Sequence, residues 1–187
     1  MSEIKPEELK ELHTKREDIN ANKINYEQIT DSSLKNIDEM HKLFPHWKRE
    51  RVLKKLRDTV RGKDLRFIAI KNGKSIGHVR IMLKKSIHGH VAEVTSLIVD
   101  PKERRQGIGI GLMQYSISKL TNKITIITLA VDSKNRPAIA LYKKIGFEKY
   151  GLLKKASKID GKFVDNYLMV KYLWSKNKQS TLFILIF

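Results

Sequence analysis

Eleven residues, Pro101-Lys102-Glu103-Arg104-Arg105-Gln106-Gly107-Ile108-Gly109-Ile110-Gly111, hold the densest set of groups able to bind an anion. Three glycines alternate with isoleucines just after two arginines and a glutamine. An apolar, β-branched run from Val94 to Val99 precedes them, and the spacing of Leu112, Met113, Ile117 and Leu120 predicts a helix after them. A strand that turns through glycines into a helix aims bare backbone N–H groups, and the positive end of the helix, at one point. A phosphate or pyrophosphate suits that point, and Arg104 and Arg105 add formal charge. Glycines let such a ligand approach because they lack a side chain and tolerate positive φ. Two well-known phosphate loops do not fit. A P-loop needs four residues between its glycines and then Gly-Lys-Ser/Thr, which is absent. A dinucleotide fingerprint needs glycine at 107, 109 and 112; position 112 is Leu112, although Asp132 ends the next strand where a ribose-binding acid would sit. On this loop alone, a tight turn that binds nothing stays open.

A second stretch, Asn135-Arg136-Pro137-Ala138-Ile139-Ala140-Leu141-Tyr142-Lys143-Lys144-Ile145-Gly146-Phe147, reads as a short helix. Asn135 is a good N-cap, Pro137 fits the first turn and Gly146 ends it. Ala138, Leu141, Tyr142 and Ile145 recur at helical spacing and form one apolar stripe.

Together the two stretches resemble the GNAT superfamily of acetyl-CoA-dependent N-acetyltransferases. The family's acetyl-CoA motif, Arg/Gln-x-x-Gly-x-Gly/Ala, reads Arg104-Arg105-Gln106-Gly107-Ile108-Gly109 here. The family's next motif, Asn-x-x-Ala-x-x-Leu-Tyr-x-x-x-Gly-Phe, is complete from Asn135 to Phe147. The resemblance spans residues 24–173. It implies an α/β (α+β) fold: a mixed, mostly antiparallel sheet with a central splayed parallel pair, flanked by helices. It implies acetyl-CoA as co-substrate, held by Leu97, Ile98, Val99, Arg104, Arg105, Gln106, Gly107, Ile108, Gly109, Ile110, Gly111, Asn135, Ala138 and Tyr142. The pantetheine arm would enter between the splayed strands and meet backbone groups of Leu97 to Val99.

Acetyl transfer to an amine sets three demands. The amine must be neutral, and deprotonating a lysine-like amine at pH 7 costs about 4–5 kcal/mol. A general base or water chain must take that proton. A developing oxyanion needs aimed donors, and a departing thiolate leaves more easily beside an acid. The resemblance implies that Tyr142 is that acid, since its position matches the family tyrosine that faces the coenzyme sulfur; the plainer reading is a core tyrosine. Strand alternation puts Val91, Glu93, Thr95, Leu97 and Val99 on one face. A carboxylate on a partly buried face needs a reason to be there, and the resemblance implies a catalytic base. The plainer reading of Glu93 is a strand-end residue paired with a lysine. Asp100 and Glu103 read as turn residues.

The elements that position these groups follow from patterning. Ile24–Ile29 is expected to be a first strand. Asp31 or Ser32 could cap a helix through Leu34, Ile37, Met40 and Leu43, and a second helix is expected over His46–Arg61, with Trp47, Leu53, Leu56 and Val60 inward. Strands are expected at Leu65–Lys71, Ser75–Ile87 and Val91–Val99, the first two joined by Asn72-Gly73. Ile124–Val131 is apolar throughout, which suits a strand covered on both faces and parallel to its predecessor. Phe147–Ile159 and Phe163–Leu173 flank Asp160-Gly161 as a closing hairpin.

One domain over 24–173 suits 187 residues, with a charged extension at 1–23 and a tail at 174–187. The chain has no cysteine, hence no disulfide or thiolate site, and its six histidines are too scattered to suggest a metal. The N-terminus is charged and no apolar run reaches the ~20 residues of a membrane span, so a cytoplasmic protein without membrane partners is expected. The net charge is +18, but lysine is spread along the whole chain and no nucleic-acid motif appears, so no specific nucleic-acid partner is expected. The acceptor is an amine: a protein N-terminus, a lysine or a small amine or amino acid, with polyamines disfavoured by the charge. A non-catalytic acyl-CoA sensor and a basic nucleic-acid-associated protein are the alternatives. The apolar tail Thr181–Phe187 could serve as an edge strand or an oligomer contact, which leaves a homodimer open.

Overall fold

The computed structural model describes residues 23–159 and 161–173. The tail 174–187, Asp160 and, apart from Lys23, the extension 1–23 lie outside the described residues.

Strand β1 is Asn25–Gln28, β2 Leu65–Lys71, β3 Lys74–Leu83, β4 Val91–Val99, β5 Ile126–Asp132, β6 Glu148–Ile159 and β7 Lys162–Tyr172. They form one sheet in the order β1-β2-β3-β4-β5-β7-β6. Every neighbouring pair is antiparallel except β4–β5, which is parallel. Local chemistry explains the connections. Asn72 and Gly73 both have positive φ, 51° and 72°, the backbone a two-residue hairpin requires between β2 and β3. A parallel pair needs a crossover, supplied by the helix α3, Ile108–Ser118. Helices α1, Ile37–His41, and α2, Arg49–Val60, precede β2, and α4, Arg136–Lys144, follows β5.

Strand alternation sends residues to two cores, one on each face of the sheet. Phe67, Val79, Ile81, Ala92, Val94, Ile127, Leu129 and Met169 pack with Ile108, Leu112 and Met113 of α3 and with Tyr142 of α4. Ile68 faces the other way and packs with Ile37 and Met40 of α1, Val52 and Leu56 of α2, and Ile98. Among the described residues no helix is long and apolar enough to cross a membrane.

Four expectations about elements change. The helix expected from Asp31 is a 3₁₀ turn, Ser32–Asn36, followed by the short α1; the Asp31 side chain makes no cap bond. Helix α2 starts at Arg49 and buries Val52, Leu56 and Thr59, whereas Val60 is 37% exposed. The buried stripe is one residue off the expected one because Thr59, a polar residue, is drawn inward by hydrogen-bond partners described below. Strand β3 ends at Leu83, not Ile87; Ser86 has φ of 55° in a 3₁₀ turn and Ile87 is 84% exposed. Strand β5 begins at Ile126, because the Thr125 and Ile126 amides both bond the His90 carbonyl in the preceding turn.

One irregularity sets the site. Arg80 pairs with Ser96 but Ile81 pairs with Val94, so Thr95 is an extra residue in β4. Such a bulge resets the alternation.

Candidate active site

The anion loop is shaped by its own backbone. The Asp100 carboxylate accepts from the Lys102 amide at 2.9 Å and starts a 3₁₀ turn at Pro101–Glu103. Arg105 and Gly107 both take positive φ, 68° and 77°, which turns the chain into α3. No side chain caps α3. The first helical bond is donated by the Gly111 amide to the Gly107 carbonyl, 3.0 Å. The amides of Gly107, Ile108, Gly109 and Ile110 are therefore the free donors of the first turn. Gly111 differs from them: its amide is spent inside the helix, and a side chain there would run into the Tyr26 ring of β1. Gly109 is a glycine for a packing reason. A Cβ on it would stand 2.8 Å from Leu141 Cδ1, 3.7 Å from Val99 Cγ2 and 3.9 Å from Leu97 Cδ2. At this point α3, α4 and the end of β4 converge. Of the three glycines in this loop, Gly107 is the one that faces open space.

The loop's side chains differ in commitment. Arg104 Nε donates to the Val99 carbonyl, 3.2 Å. Arg105 makes no hydrogen bond or ion pair among the described residues. Gln106 is tied down: Lys71 Nζ donates to its Oε1 at 3.4 Å, and its Nε2 donates to Glu103 at 3.2 Å. Lys71 also pairs with Glu103 at 3.0 Å, so Glu103 fastens the loop to β2.

Beside the loop the sheet opens. Parallel pairing runs from Val91 with Ile126 to Val94 with Leu129 and stops. Strand β4 continues to Val99 and β5 to Asp132, each still paired on its outer edge, with β3 and β7. The inner edges from Thr95 and from Ala130 onward face each other without ladder bonds. Leu97 and Val99 pack against the α3 core, and Ile98 against the α1–α2 core.

Helix α4 borders that opening. The Asn135 side chain accepts from the Ala138 amide, 3.2 Å, as a cap. Asp132 accepts from the Lys134 amide, 2.8 Å, and so serves the turn before α4. At the far end the Phe147 amide donates to the Tyr142 carbonyl, 3.0 Å, around Gly146 at φ of 89°. The Tyr142 side chain lies in the α3–α4 core at 7% exposure, edge-on to Phe147 with ring centroids 5.8 Å apart. Its hydroxyl has no hydrogen-bond partner among the described residues. Burial pushes its phenol up to about 12, because a phenolate there would lose its hydration.

Glu93 lies on the other face. The bulge at Thr95 separates it from Leu97 and Val99, with which simple alternation groups it; those two join Ala92 and Val94 on the α3–α4 side. Glu93 stands opposite Met82, two residues from Arg80, and so shares the face of Arg80. It forms an ion pair with Lys84.

That second face carries a cavity of about 390 Å³. The α1–α2 connection supplies Leu43, Phe44, Pro45, His46 and Trp47; α2 supplies Lys55; and the sheet supplies Arg66, Arg80, Thr95, Ser96 and Ile98. Behind it lies a buried polar network that sequence reasoning does not single out. Asp64 accepts from Thr59 and from the Nε atoms of Arg66 and Arg80. Arg66 Nε also donates to Thr59 Oγ1 at 2.7 Å, and its Nη1 donates to His78 Nε2 at 3.3 Å. Burial works against the Asp64 charge, but hydrogen bonds from Thr59 and Arg80 and the two guanidinium charges outweigh it and hold the carboxyl below its usual range. Burial first, and then the charge of Arg66, pushes His78 down to about 3. The available signal was three polar residues, Arg66, His78 and Arg80, inside otherwise apolar strands. Among the described residues no group of His, Asp or Glu side chains could hold a metal ion.

Comparison with known proteins bears on these features. A model of the acetyltransferase (GNAT) family matches residues 33–147. The L-amino acid N-acetyltransferase AaaT of Escherichia coli K12 is 34% identical over 107 residues, which is 56% of this chain and 65% of AaaT. The [ribosomal protein bS18]-alanine N-acetyltransferase of the same organism is 37% identical over 57 residues, 30% of this chain and 38% of that enzyme. The chain thus spans less than two thirds of the curated relatives it matches. A crystallised protein, yncA from Salmonella typhimurium with its cofactor acetyl-CoA, superposes with a TM-score of 0.69 at 15% identity, covering 82% of this chain and 96% of that one. At that identity the likeness is one of fold.

Proposed function

This chain belongs to the GNAT acetyltransferase family, and from that membership we propose that it transfers an acetyl group from acetyl-CoA to a primary amine by direct attack in a ternary complex. The observation that carries the proposal is the coincidence of two features. Free amides at the start of α3 lie against the end of β4, where β4 and β5 stop pairing. The first suits a diphosphate and the second suits an extended arm.

Acetyl-CoA supplies an acyl group activated as a thioester. The amides of Gly107, Ile108, Gly109 and Ile110, with that of Gln106, hold the diphosphate, and Arg104 and Arg105 add charge. The free inner edge of Leu97, Ile98 and Val99 receives the pantetheine arm and provides backbone N–H groups to the acyl oxygen. Asn135 contributes through Nδ2, since its Oδ1 is occupied by the Ala138 amide. Ala138 contributes apolar contact.

Tyr142 serves the sulfur. With a pKa near 12 it stays protonated throughout the working range. It is roughly three pH units weaker as an acid than a thiol. Its role is therefore a hydrogen bond to the departing thiolate, and the proton that finally reaches sulfur is the one the amine releases. Glu93 takes that proton from the ammonium, directly or through water, on the acceptor face.

Thiol release from acetyl-CoA, measured across amino acids, amino-acid amides, peptides, lysine analogues and polyamines, tests the function. Amine-dependent release is expected with at least one class. Glu93→Gln should lower kcat by about 10²-fold at neutral pH. A Glu93→Gln profile that overlays wild type removes Glu93 from the mechanism. Acetyl-CoA binding without any turnover would identify a sensor.

A further inference from the structure

The cavity on the α1–α2 face has an unbalanced charge. Its lining includes Lys55, Arg66 and Arg80 and no carboxylate. Asp64, immediately behind, is the one acid among the described residues that bonds the two guanidinium groups, and it accepts from both. His78 does not offset or add to the charge, since it is held neutral; because arginine can only donate, His78 Nε2 accepts from Arg66 and its buried Nδ1 has no partner. The two arginines are not equivalent. The Arg66 guanidinium is buried, and each of its nitrogens has a partner among Thr59, Asp64 and His78. Arg80 is 27% exposed, and only its Nε is engaged, by Asp64. Its two Nη groups have no partner among the described residues. A guanidinium anchored at Nε, with its terminal N–H groups turned to a cavity, is a fork for a carboxylate.

The register fixes where that fork stands. Arg66, Arg80 and Ser96 are cross-strand neighbours in one row over β2, β3 and β4. Ser96 is two residues past the last β4–β5 pair, at the opening assigned above to the acyl group. Adjacent strands lie about 4.8 Å apart, so a group held by Arg80 sits about one strand spacing from that edge. An amine whose carboxylate is close to its nitrogen bridges such a gap. Resting on the acetyltransferase reading of this site, we propose that Arg80 clamps the carboxylate of the acceptor, and that the acceptor is a free amino acid. Asp64 is a positioning residue for the clamp. The Thr95 and Ser96 hydroxyls line the cavity without hydrogen-bond partners among the described residues, and they complete the polar rim. A polycation would meet Lys55 and two guanidiniums in a cavity with no carboxylate in its lining, and is disfavoured.

The test pairs substrate and side chain. Initial rates of thiol release are measured for wild type, R80K and R80Q with L-amino acids, the corresponding amides and methyl esters, and tripeptides bearing an acidic second residue. Acetyl-CoA affinity, measured by calorimetry on each variant, checks the fold. Wild type should prefer the free acid over its amide by at least about a hundredfold in kcat/KM. R80Q should abolish that preference by raising KM for the acid alone, with coenzyme affinity unchanged, and R80K should be intermediate. Equal use of acid and amide, an acid preference that survives in R80Q, or turnover confined to the tripeptides would overturn the clamp. So would coenzyme binding with no turnover of any free amino acid. If wild type fails to bind acetyl-CoA, the function proposed above falls instead. The clamp is then judged by calorimetry of L-amino acids alone: heat lost in R80Q supports it, and no heat with wild type refutes it.

Discussion

On the α3–α4 face of the sheet, binding capacity resides in backbone. Four first-turn amides stand free because nothing caps α3, and Gly107 at φ of 77° leaves the space in front of them open. On the α1–α2 face, capacity resides in side chains drawn from four elements: Thr59 from α2, Asp64 from the turn before β2, Arg66 from β2 and Arg80 from β3. A backbone site needs particular residue types at consecutive positions, so it marks the sequence locally. A side-chain site assembled across strands depends on register, and register is not a local property. The first site is rigid by covalent continuity with a helix; the second holds together only if one carboxylate keeps two arginines in place.

That contrast can be broken first at Asp64. Asp64→Asn leaves two guanidiniums beside a neutral amide in place of a carboxylate that is 2% exposed. Removing one partner of a buried pair costs about 3–5 kcal/mol, so urea denaturation should show a large drop in midpoint, with acetyl-CoA affinity of the folded fraction preserved. A shift below about 1 kcal/mol would mean that the network does not hold the second face together.

Tyr142 tests the first face at smaller scale. Tyr142→Phe keeps the edge-on contact with Phe147 and removes a hydroxyl that has no partner among the described residues. Thermal stability should be unchanged, while kcat falls about 10- to 100-fold and KM for acetyl-CoA stays constant. Unchanged turnover would leave Tyr142 as a core residue only.

The smallest effect is a pH dependence confined to the second face. His78 titrates near 3 in the fold against a usual value of 6.5. Between those values the unfolded chain binds one proton more than the folded one, so stability falls as pH falls. The loss from pH 7 to pH 5 is about 2 kcal/mol. Asp64 acts lower: its depressed carboxyl contributes stability above the unfolded carboxylate value of about 3.9, and that contribution goes as pH falls further. His78→Phe should therefore flatten the loss from pH 7 down to about pH 3, leaving the carboxylates to set the acid limb. Parallel pH profiles for the two proteins would contradict the burial argument.

The same contrast explains what could be read from residues alone. Strands at Leu65–Lys71 and Val91–Val99 have the bounds that alternation and Asn72-Gly73 imply. The capped and terminated helix from Asn135 to Gly146 follows its local signals. The bulge at Thr95 has no such signal, since Thr95 looks like any strand residue, and it moves Glu93 to the opposite face from Leu97 and Val99. Thr59 carries no apolar signal that would mark it as inward, and its burial depends on Asp64 and Arg66 being brought beside it. The glycines mislead in a subtler way. Gly109 and Gly111 are required by Leu141 and Tyr26, contacts from distant parts of the chain, and only Gly107 is required by the loop itself.

The central claim is that main-chain donors at the start of α3 grip the coenzyme, and calorimetric titration of acetyl-CoA into wild type and Gly109→Val tests it most directly. Wild type should bind at one site, and Gly109→Val, whose branched side chain would crowd Leu141, Val99 and Leu97 where α3 meets the end of β4, should bind at least about a hundredfold more weakly. Equal affinity in the two proteins, or no heat with wild type, would contradict it.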